Sequence, residues 1–300
     1  AIKIVMDKGE VNTIYNIASG LPLPFRNILE MIRNRIKSQS KFTSVEIPRF
    51  NRLSQPKNFS LNTDKLKLVE LDVSFKENIN SIFNNNNITH MICCGYQMSN
   101  LIDNNPIQGA EVNIVGMTNL FQAVLDNKIQ RMIFPSSQSV YGTTSEIYDN
   151  KPVKEGDYCG LQHQLFTYAV MKLLNEFMAE KYIQKYGCSI AYTRPSVVFG
   201  FGRQNTALNW AEDFASKPAI GKTVDLPFSI DNKDNWIYVE DCAEQLVRLA
   251  LKNKLNYSCF NTGSETINGY ELKKTVEELI PNAKISLIIN DKYSLTLASS

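Results

Sequence analysis

The sequence predicts an α/β protein with a doubly wound parallel sheet and a smaller α/β unit at its carboxyl-terminal end. Short apolar strands alternate with amphipathic helices between Leu68 and Val198, which is typical of parallel strands joined by helical crossovers. Of the 300 residues, 43% are hydrophobic and 21% are charged, so the chain can bury a sizeable core. A strand, a helix and a second strand between residues 259 and 289 predict the smaller unit.

The elements of the predicted sheet follow one another in a regular order. They are a strand at 68–72, a helix at 75–83, a strand at 91–94, a helix at 112–127, a strand at 132–134, a helix from 168 to about 186 and a strand at 189–193. The asparagine run 84–87 is turn-prone and ends the first of these helices.

The composition argues against several classes of protein. The net charge is +2, which gives no reason to expect binding to nucleic acid or to an anionic membrane. No apolar run is long enough to span a bilayer, and no signal peptide is visible. The six cysteines are scattered along the chain, so we expect reduced thiols in a cytoplasmic protein without a metal site.

Ser137, Tyr168 and Lys172 form the most informative pattern. Tyr168 and Lys172 are one helical turn apart, so the hydroxyl and the ammonium can face one site. A free tyrosine titrates near pH ~10, and a neighbouring positive charge lowers that pKa. We expect Tyr168 to serve as acid or base while Ser137 holds the same substrate oxygen. We predict that all three side chains meet at the carboxyl ends of the strands.

A Tyr-x-x-x-Lys pattern alone is common by chance, but further motifs follow in order. They are the segments Glu111–Gly142, Thr193–Gly200, Asn235–Asp241 and Phe260–Gly263. This ordered set resembles the extended short-chain dehydrogenases of the NAD-dependent epimerase/dehydratase family, which have a Rossmann-like sheet. The resemblance covers the chain from about Lys67 to Ser300.

The resemblance implies roles for individual residues. Ser137, Tyr168 and Lys172 would be catalytic. The cofactor, NAD or NADP, would be contacted by Asp72, Val73, Cys94, Gly95, Asn113, Tyr168, Lys172, Pro195 and Val198. Two of these residues also have an ordinary structural interpretation: Asp72 could cap a turn at the end of a strand, and Asn113 could be a satisfied core amide.

One part of the family pattern is missing from this sequence. The family opens with a strand and a glycine-rich turn, G-x-x-G-x-x-G, before the helix that holds the cofactor pyrophosphate. Here Gly20 is a lone glycine shortly before Pro22. We therefore expect the first βαβ crossover to be absent. We also expect these 300 residues to bind NAD(H) no tighter than about millimolar and to show no turnover.

An internal repeat occupies the start of the chain. Ile14–Gly20 and the helix predicted after it resemble Cys259–Ser264 and the helix predicted after that. The predicted domains are 1–66, the tail of a preceding epimerase-like domain that repeats 255–290; 67–200, a partial dinucleotide-binding domain; and 201–300, a substrate-binding domain interleaved with the last sheet strands. Three interpretations stay open: a window of a tandem protein, a fused and degraded gene, or a rearranged fold.

Departures from the family narrow the reaction. Sugar-nucleotide dehydratases have an Asp-Glu pair where this chain has Gln138 and Ser139, and the decarboxylases keep a Glu at the second place. Both reactions are therefore disfavoured, which leaves 4-epimerisation or reduction. The family often places an arginine that binds a diphosphate where this chain has Asp234, and a carboxylate there would repel one. Arg203 is a second candidate for binding substrate.

The sequence thus predicts an NAD(P)-dependent epimerase or keto-reductase whose substrate is a sugar or sugar nucleotide. A homodimer is expected through the Tyr168 helix and the 112–127 helix. The alternative is a non-catalytic relic, or a binding or scaffold module of the same fold, that cannot hold cofactor. The choice between NAD and NADP stays open, because the part that contacts the ribose is missing.

Overall fold

The computed structural model describes residues 2–5, 14–17, 42–43, 60–61, 69, 71–142, 145–149, 151–200, 203, 210–226, 233–280 and 282–287. The strands in this part of the chain are β1 (Ile2–Val5), β2 (Ile14–Ile17), β3 (Phe42–Thr43), β4 (Ser60–Leu61), β5 (His90–Cys93), β6 (Arg131–Pro135), β7 (Ile190–Arg194), β8 (Val197–Phe199), β9 (Val224–Leu226), β10 (Lys233–Tyr238), β11 (Cys259–Asn261), β12 (Glu265–Asn268) and β13 (Ile285–Leu287).

The α-helices of the same residues are α1 (Lys76–Asn85), α2 (Ser99–Asn104), α3 (Pro106–Ala110), α4 (Met117–Asp126), α5 (Thr167–Tyr186), α6 (Trp210–Ala219), α7 (Val239–Leu251) and α8 (Gly269–Leu279). A π-helix, Glu111–Gly116, leads directly into α4, and short 3-10 helices lie at Gln138–Tyr141, Ser145–Tyr148 and Leu161–His163. None of the helices described is long and apolar enough to cross a bilayer.

The largest sheet within the described residues has the strand order β11-β7-β6-β5-β1-β2. Strands β11, β7, β6 and β5 are parallel, with Ile92 beside Ile133 and Ile133 beside Ala191. Their carboxyl ends therefore share one edge, where an α/β sheet binds its ligands. Strand β1 pairs antiparallel with β5, and β2 pairs antiparallel with β1, so the sheet is mixed at this side.

Both faces of the sheet are covered because neighbouring strand residues point to opposite sides. One face carries Met132 and Phe134, which pack in a core with Phe121 of α4 and residues of α1 and α5. The other face carries Ile133, which packs with Leu246 and further residues of α7. This two-sided burial explains the continuous apolar runs of β5 and β6 and confirms the doubly wound architecture.

The expected strand at 68–72 is wrong at its carboxyl end, since Leu71 and Asp72 lie outside any strand. The Asp72 carboxylate accepts hydrogen bonds from the Ser74 N–H at 2.9 Å and the Ser74 hydroxyl at 2.6 Å. This local turn satisfies the backbone in place of a strand ladder. The Asn119 side chain then fastens the turn to α4 by donating to the carbonyls of Val73 and Ser74.

The start of the chain adds strands at the edge next to β5. Strand β2, which falls in the first copy of the predicted repeat, pairs with β1 there. Its counterpart β11 instead pairs in parallel with β7 at the opposite edge of the sheet. The helix expected after Phe25 lies outside the described residues. The repeat of 255–290 therefore stays a prediction.

A smaller lobe contains strands from the second half of the chain. It includes the sheets β12-β10-β8 and β13-β9, with α6 and α8 against them. Trp236 of β10 is the centre of its aromatic core, with Trp210 at 5.2 Å, Phe214 at 5.4 Å and Phe199 at 6.0 Å between ring centroids. Because β8 follows β7 directly and pairs with β10, the lobe is joined to the carboxyl edge of the main sheet.

Helix α5 is locked to the sheet by a buried ion pair. Arg194, at the end of β7, donates from Nη2 to Glu176 Oε2 at 2.7 Å and from Nε to Glu176 Oε1 at 3.1 Å. Both side chains are buried, at 6% and 4% exposure. Burial by itself lowers the pKa of Arg194, but the two hydrogen bonds and the charge of Glu176 outweigh it and raise that pKa.

We expect Glu176→Gln to lower the free energy of unfolding by about 3 kcal/mol, because it leaves a buried guanidinium without its counter-charge. A matched control is Glu244→Gln, which breaks the exposed pair that Arg248 makes with Glu244 at 2.7 Å. The control should cost no more than about 0.5 kcal/mol. Urea unfolding followed by circular dichroism measures both, and equal losses would contradict the buried-pair argument.

Candidate active site

Ser137 and Tyr168 lie near each other at the carboxyl edge of the sheet, close enough for the Ser137 hydroxyl to act on the pKa of Tyr168. Ser137 is the second residue after β6 and caps the 3-10 helix Gln138–Tyr141 in an extended conformation. Tyr168 is the second residue of α5, and α5 packs against that 3-10 helix. The structure thus brings this pair together across 31 residues of sequence.

The residues after Ser137 fix its orientation. The Ser137 hydroxyl oxygen accepts hydrogen bonds from the Ser139 N–H at 3.1 Å and the Ser139 hydroxyl at 2.9 Å. The backbone N–H of Gln138 donates to the Pro195 carbonyl at 2.9 Å. Ser139 therefore serves to hold Ser137, and Pro195 anchors the same turn from the neighbouring strand.

Lys172 lies beneath the pair and is almost fully buried, at 3% exposure. Its Nζ donates to the Pro135 carbonyl at 2.7 Å and stands 3.5 Å above the centroid of the Tyr96 ring. The centroid of the Tyr168 ring is 5.5 Å away. Burial lowers the pKa of Lys172 to about 8, because desolvation disfavours the charged ammonium.

The expected lowering of the Tyr168 pKa is wrong for this structure. Burial raises it to about 12, although the Ser137 hydroxyl and the charge of Arg203 oppose the shift. The Lys172 ammonium does not offset the desolvation, because it is directed at the face of Tyr96 and at Pro135. Tyr168 is therefore a neutral phenol at pH 7, ready to donate a proton rather than to accept one.

Tyr96 is a component of the site that the sequence did not reveal. Its ring lies edge-on to Tyr168, with centroids 5.7 Å apart and an interplanar angle of 89°. Asn175 of α5 donates to the Tyr96 hydroxyl at 3.1 Å and to the Asn113 carbonyl at 2.9 Å. Asn175 is seven residues after Tyr168 and so lies on the same helix face. This spacing could have identified Asn175 from the sequence as a residue near the site. Nothing in the local sequence identifies Tyr96.

Asn113 is a buried amide whose hydrogen bonds shape the loop after β5. It accepts from the Gln97 N–H at 2.8 Å and donates to the Gln97 carbonyl at 3.0 Å. It lies in the π-helix, a local widening often found at functional sites. The loop it holds begins with Cys94, which is exposed, and Gly95, which is buried. A role of these three residues toward cofactor stays a prediction.

The remaining predicted residues lie at the margins of this cluster. Asp72 is exposed in its turn, and Val73 is buried so close to Gly116 that a Cβ there would lie 2.5 Å from its Cγ2. Val198 accepts a hydrogen bond from Nη1 of Arg203, whose charge also acts on Tyr168. The charge of Arg203 thus reaches Tyr168, while the turn that contains Asp72 is anchored to α4.

Asp234, the departure from the expected arginine, reaches the same turn. Its Oδ1 accepts a hydrogen bond from the Asn235 N–H at 3.1 Å, and its carboxyl group lies near enough to the Gln138 side chain for that amide to act on its pKa. Burial raises the pKa of Asp234 to about 7, against the effect of those two groups. The Asp234 carboxyl, with a pKa of about 7, thus lies near Gln138, the residue that follows Ser137.

A polar cavity of about 290 Å³ adjoins this turn, between the main sheet and the smaller lobe. Its lining is mostly neutral amides and hydroxyls, contributed by Gln138, Tyr141, Ser196, Asn235, Asn261, Thr262 and Ser264, together with Val153, Arg194 and Gly263. A larger and more open groove, of about 600 Å³, lies along the edge strand β11 and includes Arg131 and Glu180.

Strand order, crossovers and the residues at the carboxyl edge define a Rossmann-like α/β protein. A model of the NAD dependent epimerase/dehydratase family matches residues 32–263, which is more than three quarters of the chain. The chain belongs to that family.

The chain is similar to an uncharacterized 37.6 kDa protein in the cld 5' region of Escherichia coli O111:H-, with 32% identity over 146 residues, 48% of this chain and 41% of that protein. The matches to the first curated relatives span about half of their length or less.

Solved structures share the fold. One is a GalE-like L-threonine dehydrogenase from Cupriavidus necator in its holo form, with a TM-score of 0.72 and 14% identity over 95% of this chain and 88% of that chain. Another is the UDP-glucose 4-epimerase of Thermotoga maritima with UDP-glucose, with a TM-score of 0.64 and 18% identity over 78% of this chain and 75% of that one.

We expect Tyr96→Leu to lower the pKa of Lys172 by roughly one, because a desolvated cation–π contact is worth about 1–2 kcal/mol. Tyr96→Phe keeps the ring face and should leave that pKa nearly unchanged. Competitive acylation between pH 6 and 10, read by mass spectrometry, measures the lysine directly. An equal response of the two variants would show that the ring face does not stabilise the ammonium.

Proposed function

We propose that this chain provides the catalytic groups of an NAD(P)-dependent epimerase or keto-reductase acting on a sugar or sugar nucleotide. The observation that supports this best is the proximity of Ser137, Tyr168 and the buried Lys172 at the carboxyl edge of a Rossmann-like sheet. Family membership supports the cofactor class, since the matching family is described as NAD dependent.

The described residues fit the nicotinamide end of such a cofactor. The buried Gly95 follows β5 and carries no side chain, and Tyr168, Lys172 and Ser137 lie at the same edge of the sheet. Bound nicotinamide supplies or accepts the hydride in this class of reaction. The sequence offers no glycine-rich turn for the pyrophosphate, so the fit is confined to one end of the cofactor.

In the proposed reduction, the substrate carbonyl oxygen accepts hydrogen bonds from Ser137 and Tyr168. As the oxygen gains negative charge, the neutral Tyr168 phenol gives it the proton. The Lys172 Nζ is directed at Tyr96 and Pro135, and it places a positive charge 5.5 Å from the centroid of the ring on which the phenolate forms. Epimerisation would run these steps backwards on an alcohol to give a keto intermediate, and then forwards to reduce that intermediate.

Gln138 and Ser139 support a hydride-only reaction. Elimination of water needs a second acid or base beside the reacting sugar carbon. At those two places this chain has an amide, which is neither an acid nor a base, and a hydroxyl that donates to Ser137. The second candidate function, a non-catalytic relic or a binding or scaffold module, is supported by the missing glycine-rich turn.

We expect these 300 residues to bind NAD(H) no tighter than about millimolar. Each charge-assisted hydrogen bond to the pyrophosphate is worth roughly 1.5–3 kcal/mol, and about 1.4 kcal/mol corresponds to a factor of ten. Losing several of them costs at least about three orders of magnitude, so no turnover is expected at sub-millimolar cofactor. Isothermal titration decides this, and a micromolar constant would mean that another segment binds the phosphates.

The proposed chemistry is tested by filling the site with excess cofactor, about 20 mM NAD(P)H. A panel of free and nucleotide-linked keto sugars should then show hydride transfer, and Tyr168→Phe should lower the rate by about 10²–10⁴. The control is Tyr158→Phe, since the Tyr158 side chain is 76% exposed. Identical rates for wild type and Tyr168→Phe, or none at all, would favour the relic or scaffold alternative.

We further propose a homodimer through the Tyr168 helix, α5, and the helical stretch 112–127. Exposed apolar side chains support it: Leu174 and Phe177 on α5 are 41% and 59% exposed, and Val115 is 47% exposed. Residues three apart on a helix are neighbours, so Leu174 and Phe177 form a continuous patch.

Phe177→Glu should shift the protein from dimer to monomer in light scattering after size-exclusion chromatography, because it puts a charge into a dehydrated contact. Leu279→Glu serves as control, since Leu279 is 76% exposed on α8 in the smaller lobe. A wild-type monomer would remove the dimer proposal.

A further inference from the structure

The groove along β11 lies at the end of the main sheet opposite to the candidate active site. Arg131 is the first residue of β6, and Ser189 and Ser258 directly precede β7 and β11. All three line the groove, so it opens at the amino edge of the sheet, whereas Ser137 and Tyr168 lie at the carboxyl edge. Its volume of about 600 Å³ is within the range of small-molecule sites.

Arg131 is a buried cation without a carboxylate partner among the described residues. It is only 7% exposed, and burial lowers its pKa because desolvation disfavours the charged guanidinium. No carboxylate of the described chain offsets that shift. A buried charge without a counter-charge is unfavourable, so the groove stabilises an anion that reaches Arg131.

The guanidinium is fixed in place with one nitrogen left over. Arg131 Nε donates to the Ser189 hydroxyl oxygen at 2.6 Å, and Nη1 donates to the Leu249 carbonyl at 3.2 Å. Nη2 has no hydrogen-bond partner in the part of the chain that the structure describes. Because the Ser189 oxygen accepts from Arg131, its own proton is left to donate to a ligand. Nη2 and the Ser189 hydroxyl are thus two neighbouring donors for one carboxylate.

Glu180 of α5 gives the same groove an acceptor. Its Oε1 accepts hydrogen bonds from the Tyr192 hydroxyl at 3.1 Å and from the Ser258 hydroxyl, and its Oε2 has no partner among the described residues. Glu155 also lines the groove, so the charged lining consists of one guanidinium and two carboxylates. These carboxylates repel a purely anionic ligand and attract an ammonium group.

The two charged ends of the groove are separated. The Glu180 charge does not act on the pKa of Arg131, so the two side chains are not in direct contact. A ligand that binds both must therefore carry its own charges well apart. Ile183, Leu255 and Tyr257 also line the groove, and their apolar surfaces suit a hydrocarbon spacer.

We propose that this groove binds a small zwitterion whose carboxylate pairs with Arg131 and whose ammonium pairs with Glu180, with an apolar spacer between them. The site goes beyond the proposed epimerase or keto-reductase reaction, because it uses none of the groups at the carboxyl edge of the sheet. The two can therefore stand or fall separately.

The test is binding to the full chain without cofactor, measured by saturation-transfer NMR. The probes are 4-aminobutyrate and 6-aminohexanoate, each compared with the acid that lacks its amino group, butyrate and hexanoate. At least one zwitterion should bind about tenfold more tightly than its matched acid, because only the zwitterion pairs with Glu180. The proposal is overturned if neither zwitterion binds, or if both bind no tighter than their acids.

Two variants locate the binding. Arg131→Gln should weaken binding of the tighter zwitterion by at least about tenfold, because the carboxylate loses its counter-charge. Glu180→Gln should make that zwitterion and its matched acid bind equally, and it decides the question alone if Arg131→Gln does not fold. Lys274→Gln is the control, since Lys274 is 60% exposed on α8 in the smaller lobe and should leave binding unchanged. Wild-type affinity in both groove variants would show that the zwitterion binds elsewhere and would overturn the assignment.

Discussion

The buried ion pair between Glu176 and Arg194 sets the position of helix α5 on the sheet, and the site depends on that position. Glu176 is one turn after Lys172 and two turns after Tyr168, so all three share a helix face. Once Arg194 holds Glu176 at the end of β7, the other two side chains are directed to the carboxyl edge. A shift or rotation of α5 would separate Glu176 from Arg194 and leave each charge buried without its counter-ion, which is energetically costly.

Other polar side chains on this face of α5 are also buried, and each of them needs a hydrogen-bond partner. Lys172 donates a hydrogen bond to the Pro135 carbonyl and makes a cation–π contact with the Tyr96 ring. Asn175 donates hydrogen bonds to the Tyr96 hydroxyl and to the Asn113 carbonyl. Asn113 in turn holds the Gln97 backbone, so the loop after β5 is tied to α5 through two amides. This chain of contacts determines the surroundings of Lys172 and Tyr168, and with them the directions in which their pKa values move.

Sequence reasoning succeeded where local periodicity and motif order carry the information. The alternating elements gave the doubly wound sheet, and helix spacing placed Tyr168 and Lys172 on one face. It failed where the outcome depends on contacts between distant residues. At the carboxyl end of the strand expected at 68–72, the chain instead forms the turn that Asp72 makes with Ser74. The Tyr168 pKa moves upwards because burial disfavours the phenolate, and the Lys172 ammonium that was expected to lower it faces Tyr96, which precedes Lys172 by 76 residues.

The turn after Ser137 limits which groups can exchange a proton with a substrate. Ser139 donates its hydroxyl to the Ser137 hydroxyl, and Gln138 carries an amide, which is neither an acid nor a base at neutral pH. Under the proposed function, Tyr168 would therefore be the proton donor beside this turn. Its raised pKa would match the basic oxygen that forms when a carbonyl gains a hydride, so transfer of the proton to that oxygen would be downhill.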